Sequence, residues 1–416
     1  NKASLWRNST NIGGSPGADD PAPPVFPDVI VNEIMTNPVL PGVDSIEIFN
    51  HAASAVDISN WWLTDNKNIP EKYKIPNGTI IAAGGYKVFD ENQFGIGLNG
   101  FGLSSSGEMV FLFSADAGAN LSGYSSGWNF DGQYKNKAFG VYTNSTGKRL
   151  FVAMTHSTMG RPNAIPDVGP IVINKINYFP DLNHYEFLCL KNIGDTLVNL
   201  HSTAFPDSTW EVSGIGFAFP PGVSMAPGES IYLTKALPSQ FRSKYNISAN
   251  IKVYQYFGSL NNKGESITLY AIGNLYTKAT GSFMSRILID KVKYNNKLPW
   301  PVSAAGAGDY LKRNVDTDFG NDVANWSAAN GSIVQLIKPL ALSPISVRPL
   351  PVHDQVLFSG FKGMASLSIF NLQGSRIEVL QLDANETVNL GNLASGAYFY
   401  QLQTGEGIYN GKLIKE

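Results

Sequence analysis

The run "VIVNEIMTNP" from Val29 returns as "IVINKINYFP" from Ile171, and it does not return alone. "SIEIFNHAASAVDISNWWL" from Ser45 is echoed by "YEFLCLKNIGDTLVNLHSTAF" from Tyr185, and "IPNGTIIAAGGYKVF" from Ile75 by "FPPGVSMAPGESIYL" from Phe219. "LSSSGEMVFLF" from Leu103 is echoed by "LNNKGESITLY" from Leu260. Blocks that recur in one order, with loops of variable length between them, are what one fold used twice leaves behind. The repeat therefore predicts two homologous domains, and any account of one must work in the other.

Each block reads as β structure. Pro76-Asn77-Gly78 and Ala83-Gly84-Gly85 bracket a short strand, because Gly and Asn tolerate the positive φ of tight turns, and Pro221-Gly222 and Pro227-Gly228 stand at the equivalent places. In "SSGEMVFLF" the alternate residues Met109, Phe111 and Phe113 share one face of a strand. No stretch carries a clean 3.6-residue apolar period, and 41 Gly, 24 Pro and 12% aromatic residues favour strands and turns. The expected class is all-β. A formal charge of −2 lacks the basic footprint of nucleic-acid binding, and no apolar run approaches the length of a transmembrane segment. A single cysteine excludes an internal disulfide framework and any Cys-based metal site; Cys189 shares a face with Tyr185 and Phe187 and reads as core.

The ordered set "VNEI…IEIFN…VDISNWWLTD…IPNGTIIAAGGYKVF…LSSSGEMVFLF…GRPN" resembles the lamin-tail domain, an Ig-like β-sandwich widespread in secreted bacterial proteins. The second copy is similar, most clearly at "DYLKRNVDTDFGNDVANWSAANGS", and "SLWRNSTNIGGSPGADD" near the start resembles the same closing segment of a preceding copy. Ser45 departs from the family's usual Trp, and Lys175 stands where the first copy has Glu33. The expected organisation is 1–27, tail of a preceding repeat and Pro-rich linker; 28–166 and 167–335, two Ig-like lamin-tail sandwiches; 336–345, linker; and 346–416, a further domain. On this reading the chain begins inside a longer protein.

From 346 the texture changes to short runs of alternating apolar and polar residues, as a small antiparallel β-sandwich requires. "LSIFNLQGSRI", "VNLGNLASGAYFYQLQ" and the closing "GKLIKE" closely resemble the C-terminal sorting domain of the type IX secretion system of Bacteroidota. "RPLPV" from Arg348 replaces the usual Pro-Asn-Pro at the domain's start. The resemblance implies Gly374, Leu393, Gly396, Tyr398, Lys412 and Lys415 as the sorting signal. It further implies as partners the secretion translocon, its outer-membrane shuttle protein and a sortase-like peptidase.

Chemistry has few candidates. Glu33 and Glu47 are the one pair in the first domain that could serve as two glycosidase carboxylates, but the letters aligned with them in the second copy are Lys175 and Glu186. A position that accepts Lys is scaffold, and no catalytic residue is expected. "NVDTDFGND" offers Asp316, Asp318 and Asp322, with Asn314 and Asn321, as oxygen ligands for calcium, the one cofactor candidate, although EF-hand spacing is absent. The five histidines, His51, His156, His184, His201 and His353, show no metal-ligand spacing. Trp61 and Trp62 are neighbours on a strand and must face opposite ways; with Trp128, in a Gly/Ser-rich stretch that also holds Tyr124, Tyr134 and Tyr142, they are candidate contacts for a surface glycan or protein ligand. Asp44-Ser45-Ile46 and Asp195-Thr196-Leu197 resemble the phylum's O-glycosylation motif. The function expected is non-enzymatic: adhesion or spacer modules exported by a C-terminal signal. The alternative is a carbohydrate-binding accessory region of a larger secreted enzyme.

Overall fold

The computed structural model describes residues 15–18, 22, 25–278, 281–331, 333, 346–348, 351–372, 375–384, 386–405 and 407–416. The linker expected at 336–345, residues 1–14 of the leading segment, and Gly374 lie outside the described residues. Contacts divide the chain into two compact units, Asn1–Ile333 and Val334–Glu416.

The first unit opens with a sandwich of eleven strands: β1 (Val29–Met35), β2 (Ser45–Asn50), β3 (Val56–Asp57), β4 (Trp62–Thr64), β5 (Tyr73–Lys74), β6 (Ile80–Ile81), β7 (Tyr86–Asp90), β8 (Gly107–Ala115), β9 (Leu121–Asp131), β10 (Ala138–Thr143) and β11 (Arg149–Ala153). One sheet runs β11-β10-β1-β2-β7 and the other β5-β4-β8-β9, with β3 and β6 paired apart. Between them lies a core of Val29, Val31, Ile34, Ile46, Ile48, Trp61, Leu63, Val110 and Leu112. A short helix α1 (Glu91–Phe94) follows β7.

The plan then repeats. β12 (Ile171–Asn177), β13 (Phe187–Asn192), β14 (Val198–Asn199), β15 (Glu211–Ser213), β16 (Phe217–Ala218), β17 (Ser224–Met225), β18 (Ser230–Thr234), helix α2 (Pro238–Tyr245), β19 (Lys252–Gln255), β20 (Ser266–Lys278), β21 (Gly281–Lys293), β22 (Tyr310–Arg313) and β23 (Trp326–Ala329) form a second sandwich. Its sheets run β23-β22-β12-β13-β18-β19 and β16-β15-β20-β21, with β14 and β17 paired apart, so the strand order matches the first save for the added parallel edge strand β19. The correspondence extends to single side chains. Asn50 and Asn192, both fully buried, end β2 and β13 and donate from Nδ2 to turn carbonyls, Ile81 and Ala82 in one copy and Thr196 and Met225 in the other.

β1 and β12 explain the motif that recurs first. Each is buried at every position and each carries a bulge, between Val31 and Glu33 and between Ile173 and Lys175. The extra residue, Asn32 or Asn174, resets the alternation. Val29, Val31 and Ile34 point into the core, while Asn32 and the neighbouring Glu33 both fall on the opposite face of the sheet.

The second unit is a smaller sandwich: β24 (Ser346–Arg348), β25 (Gln355–Ser359), β26 (Ala365–Phe370), β27 (Arg376–Leu382), β28 (Thr387–Asn389), β29 (Gly396–Thr404) and β30 (Gly407–Lys415). Sheets β24-β25-β28 and β27-β26-β29-β30 enclose a separate core that includes Val356, Phe358, Leu367, Ile369, Leu402 and Leu413.

Candidate binding site

Glu33 and Glu47 are cross-strand partners on the outer face of the first sandwich and neither is exposed to solvent. They are not open to a substrate. Glu33 accepts from Ser157 Oγ (2.7 Å), Thr158 N (2.7 Å) and Thr158 Oγ1 (2.6 Å), and Glu47 accepts from Asn32 Nδ2 (2.7 Å) and the Gly160 amide. Asn163 accepts from Asn32 Nδ2 (2.7 Å) and donates to the Val141 carbonyl (2.9 Å). The "STMGRPN" segment is thus strapped across the sheet by the carboxylates. Gly140 lets it lie close, because a Cβ there would stand 2.9 Å from Met154 Cε and 3.0 Å from Asn163 Nδ2. Burial pushes the Glu47 carboxyl up to about 7, against the opposing pull of its Gly160 and Asn32 donors.

Strand register corrects the alignment of the acids. Lys175 faces Cys189 across the β12–β13 ladder, so Cys189, not Glu186, stands where Glu47 does. Glu186 corresponds instead to Asp44: Asp44 accepts the amide of Leu103 (2.8 Å) and Glu186 that of Leu260 (2.7 Å), the paired first residues of a repeated block. Cys189 is fully buried, but on the outer face of its sheet beside Lys175 rather than in the core with Leu188 and Leu190, and Lys175 Nζ lies 4.0 Å from its sulfur.

The three tryptophans separate. Trp61 is core, at 6% exposure, and so is no surface platform; Trp62, on the opposite face, is half-buried and donates to the Ala119 carbonyl (3.0 Å). Trp128 lies on β9, not in a loop. β10 pairs with β1 only at Glu33–Met35, which leaves the earlier backbone groups of β1 without ladder partners on that side. β9 supplies them: Tyr124 Oη donates to Val29 O (2.8 Å), Ser126 Oγ accepts from Val31 N (3.3 Å) and Trp128 Nε1 donates to Val31 O (2.9 Å). The Trp128 ring stacks parallel on Phe151 at 5.4 Å. Its first role is to close the sandwich. In the second copy Asp290, from β21, takes the equivalent amide of Ile173 (2.7 Å), with Arg313 Nη1 bound to the same carboxylate (2.7 Å).

The calcium candidates do not converge. Asp316 is held by Lys191 Nζ (2.6 Å) and Asn174 Nδ2, and Asp318 offers its backbone carbonyl to Arg313. Asp322 accepts from Ser145 N (2.9 Å), Ser145 Oγ, Tyr142 Oη (3.3 Å) and Ala324 N (3.1 Å). Among the described residues no group of three acidic, His or Cys side chains is placed to hold a metal ion. The physical reason is that the Asp316 and Asp322 carboxylates already have protein donors, three of those on Asp322 coming from the other sandwich.

That cross-link marks a feature the sequence did not reveal: the two sandwiches share a seam. Besides Asp322, Ser105 Oγ meets Tyr276 Oη (2.6 Å), Tyr142 packs edge-on against Phe319 (5.2 Å), and Gly132 bridges to Ile287. A Cβ at Gly132 would come within 2.6 Å of the Arg286 carbonyl, so only glycine permits the approach. Two adjoining clefts line the seam. One, of about 310 Å³, is bounded by β9, β11 and β21 and takes in Trp128, Phe151, Asp131 and Lys291; the other, of about 470 Å³, lies between the β10–β11 turn and residues 293–300. Burial raises the Asp131 carboxyl, with Lys291 and Arg286 opposing.

In the second unit, Leu393 and Tyr398 pack on the small core, and Tyr398 Oη donates to Ala394 O (2.7 Å). Gly396 begins β29, Lys412 is exposed opposite Phe399, and Lys415 is 8% exposed with Nζ on the Glu416 carbonyl (2.8 Å). The closing "GKLIK" is therefore the end of β30, the edge strand, and pairs with Gly396–Tyr400 of β29.

The lamin tail domain family matches residues 22–132, which hold β1 to β9, and the secretion system C-terminal sorting domain family matches residues 346–416. No curated protein matches the chain. Among solved structures it is similar to a DUF4876 family protein from Bacteroides thetaiotaomicron, at 10% identity over 75% of this chain and 97% of that one, with a TM-score of 0.25. It is also similar to dimeric latent PorU from Porphyromonas gingivalis (9% identity, 94% of this chain, 34% of that one, TM-score 0.13). A third is PorZ, described as an essential bacterial surface component of the type-IX secretion system of P. gingivalis (10%, 89%, 63%, TM-score 0.16). With one match lying over the first sandwich and the other over the described part of the second unit, the chain carries an Ig-like lamin-tail domain and a type IX secretion sorting domain, and is exported by that system to the cell surface or the medium.

Proposed function

We propose that the tandem sandwiches are a non-catalytic adhesion or spacer module of a surface protein, delivered by its terminal domain through the translocon and its outer-membrane shuttle, with a sortase-like peptidase acting at the sorting domain. The observation that carries this reading is the fate of the carboxylate pair. Glu33 and Glu47 are buried, and four backbone and side-chain donors of the strap occupy them, so no water or glycosidic oxygen has a place between them. The second sandwich builds the same strand pair with Lys175 and Cys189, which a catalytic dyad would not survive. Two sandwiches joined by side-chain hydrogen bonds and a backbone bridge also make a stiffer spacer than two joined by a linker alone.

The test is hydrolysis. The purified chain is expected to release no product from a panel of polysaccharides and peptides, whereas turnover that disappears in Glu33→Gln would overturn the proposal. The seam clefts favour a second reading, in which the same module binds carbohydrate on behalf of a larger enzyme.

A further inference from the structure

The larger seam cleft has a charge pattern that the chain as a whole lacks. The protein carries 31 basic and 33 acidic residues, yet this cleft is lined by Lys148, Lys293 and Lys297 and by no carboxylate. All three lysines are exposed, and among the described residues none is ion-paired. They come from both sandwiches onto backbone that is pinned. Lys148 closes the β10–β11 turn, its amide bound to Asn144 Oδ1 (2.9 Å) and its carbonyl to Asn144 N (3.0 Å). The Lys293 amide is bound to Asn321 Oδ1 (2.8 Å) and the Lys297 amide to Asn295 Oδ1 (3.0 Å). Asp322, gripping Ser145, holds the Lys148 turn against the second sandwich.

Like charges gathered on low-dielectric walls focus a positive potential that an anion relieves. At about 470 Å³ the cleft is too large for a single small ion, while the 310 Å³ cleft that it adjoins through Lys148, Leu150 and Asn321 is mixed in charge, with Asp131, Asp167 and Asp290 beside Arg149 and Lys291. Its apolar lining includes Leu150 and the exposed Leu298 and Pro299, and its two aromatic residues, Tyr294 and Trp300, are only 1% and 8% exposed. That disfavours nucleobases, which need an open aromatic face to stack on, and suits the C–H faces of sugar rings. Lysines rather than arginines supply point charges that tolerate variable spacing of the ligand's charges.

We propose that this cleft binds an anionic polysaccharide, a chain bearing uronate or sulfate groups, laid along the seam so that both sandwiches contribute to one site. The proposal rests on the adhesive reading above and names its ligand class. The full chain is run in affinity electrophoresis against polygalacturonate, dextran sulfate and neutral dextran. We expect retardation by at least one anionic polymer and not by dextran, weakening with salt. K148Q/K293Q/K297Q should weaken binding roughly tenfold or more and flatten the salt dependence. K67Q/K74Q/K87Q, the same charge change at exposed sites of the first sandwich, should leave binding near wild type. Equal losses in the two triple variants would overturn the cleft while leaving adhesion through another surface standing. Retardation by neutral dextran alone would overturn the anionic ligand but keep a carbohydrate-binding module. No retardation by any polymer would overturn the inference, and the spacer reading would stand without it.

Discussion

Buried carboxylates set how this protein responds to pH. Glu47 and Glu108 are pushed up to about 7 and Asp44 to about 6, in each case chiefly by burial and in spite of backbone donors: Gly160, Ser104 and Leu103. In the unfolded chain the same groups titrate at about 4. Between those values the folded state binds more protons than the unfolded one, so stability falls as pH rises from about 4 through about 7 and levels off above. Asp28 works the other way: its hydrogen bond to Arg149 holds it below the usual range, so its contribution is lost in stronger acid. The thermal midpoint is therefore expected to be highest near pH 4 and to decline towards pH 7, with little change above. Differential scanning calorimetry at constant ionic strength checks this, and a midpoint that rises from pH 5 to pH 8 would contradict it. The residue that links Glu47 to the repeated strand is Asn32, whose bulge places it beside Glu33 on the outer face, where its amide donates to Glu47.

At the scale of elements, the seam depends on the β10–β11 turn docking on the loop before β23. Asp322 is its hub, binding one backbone amide and two hydroxyls of the first sandwich and the Ala324 amide of its own loop. Hydrogen bonds to a charged acceptor contribute about 1.5–3 kcal/mol each, so Asp322→Ala should free the turn. Amide exchange at Ser145–Lys148 is expected to quicken by more than tenfold, with β1 and β12 amides unchanged, and unaltered exchange in the turn would show that the docking lies elsewhere. The strands themselves were legible in the sequence because turn residues and two-residue alternation are local signals. The bulge was not, since letters alone do not reveal an inserted residue; matching Glu47 to Glu186 followed identity of side chain, while the ladder sets Cys189 in that place. Trp61 and Trp62 were readable as facing opposite ways, but which of them was core was not. Trp128 and Tyr124 looked like loop aromatics because Gly123, Ser125 and Gly127 separate them; pairing with β8 makes that stretch a strand. The seam could not be read at all, as its contacts join residues such as Ser145 and Asp322, far apart in sequence with nothing in either local pattern to connect them.

For the whole molecule, division into two units with separate cores makes address and cargo separable by experiment. Residues of the terminal core, from Val352 to Leu413, pack on one another, and the strand that ends the chain completes their sheet. Removing residues 346–416 takes away one complete hydrophobic core and leaves those of both sandwiches whole. A deletion confined to β30 would instead strip the edge from β29 and expose Leu402 and Tyr400, so loss of export there would be confounded by misfolding. The larger deletion is the cleaner one. The 346–416 truncation is expected to keep the cooperative unfolding of residues 1–333 and to accumulate in the periplasm, while the full chain reaches the surface. Fractionation with protease shaving of intact cells reads both outcomes. Surface exposure of the truncated chain would mean that export information lies in the sandwiches, whereas periplasmic retention with unchanged unfolding assigns it to the terminal unit.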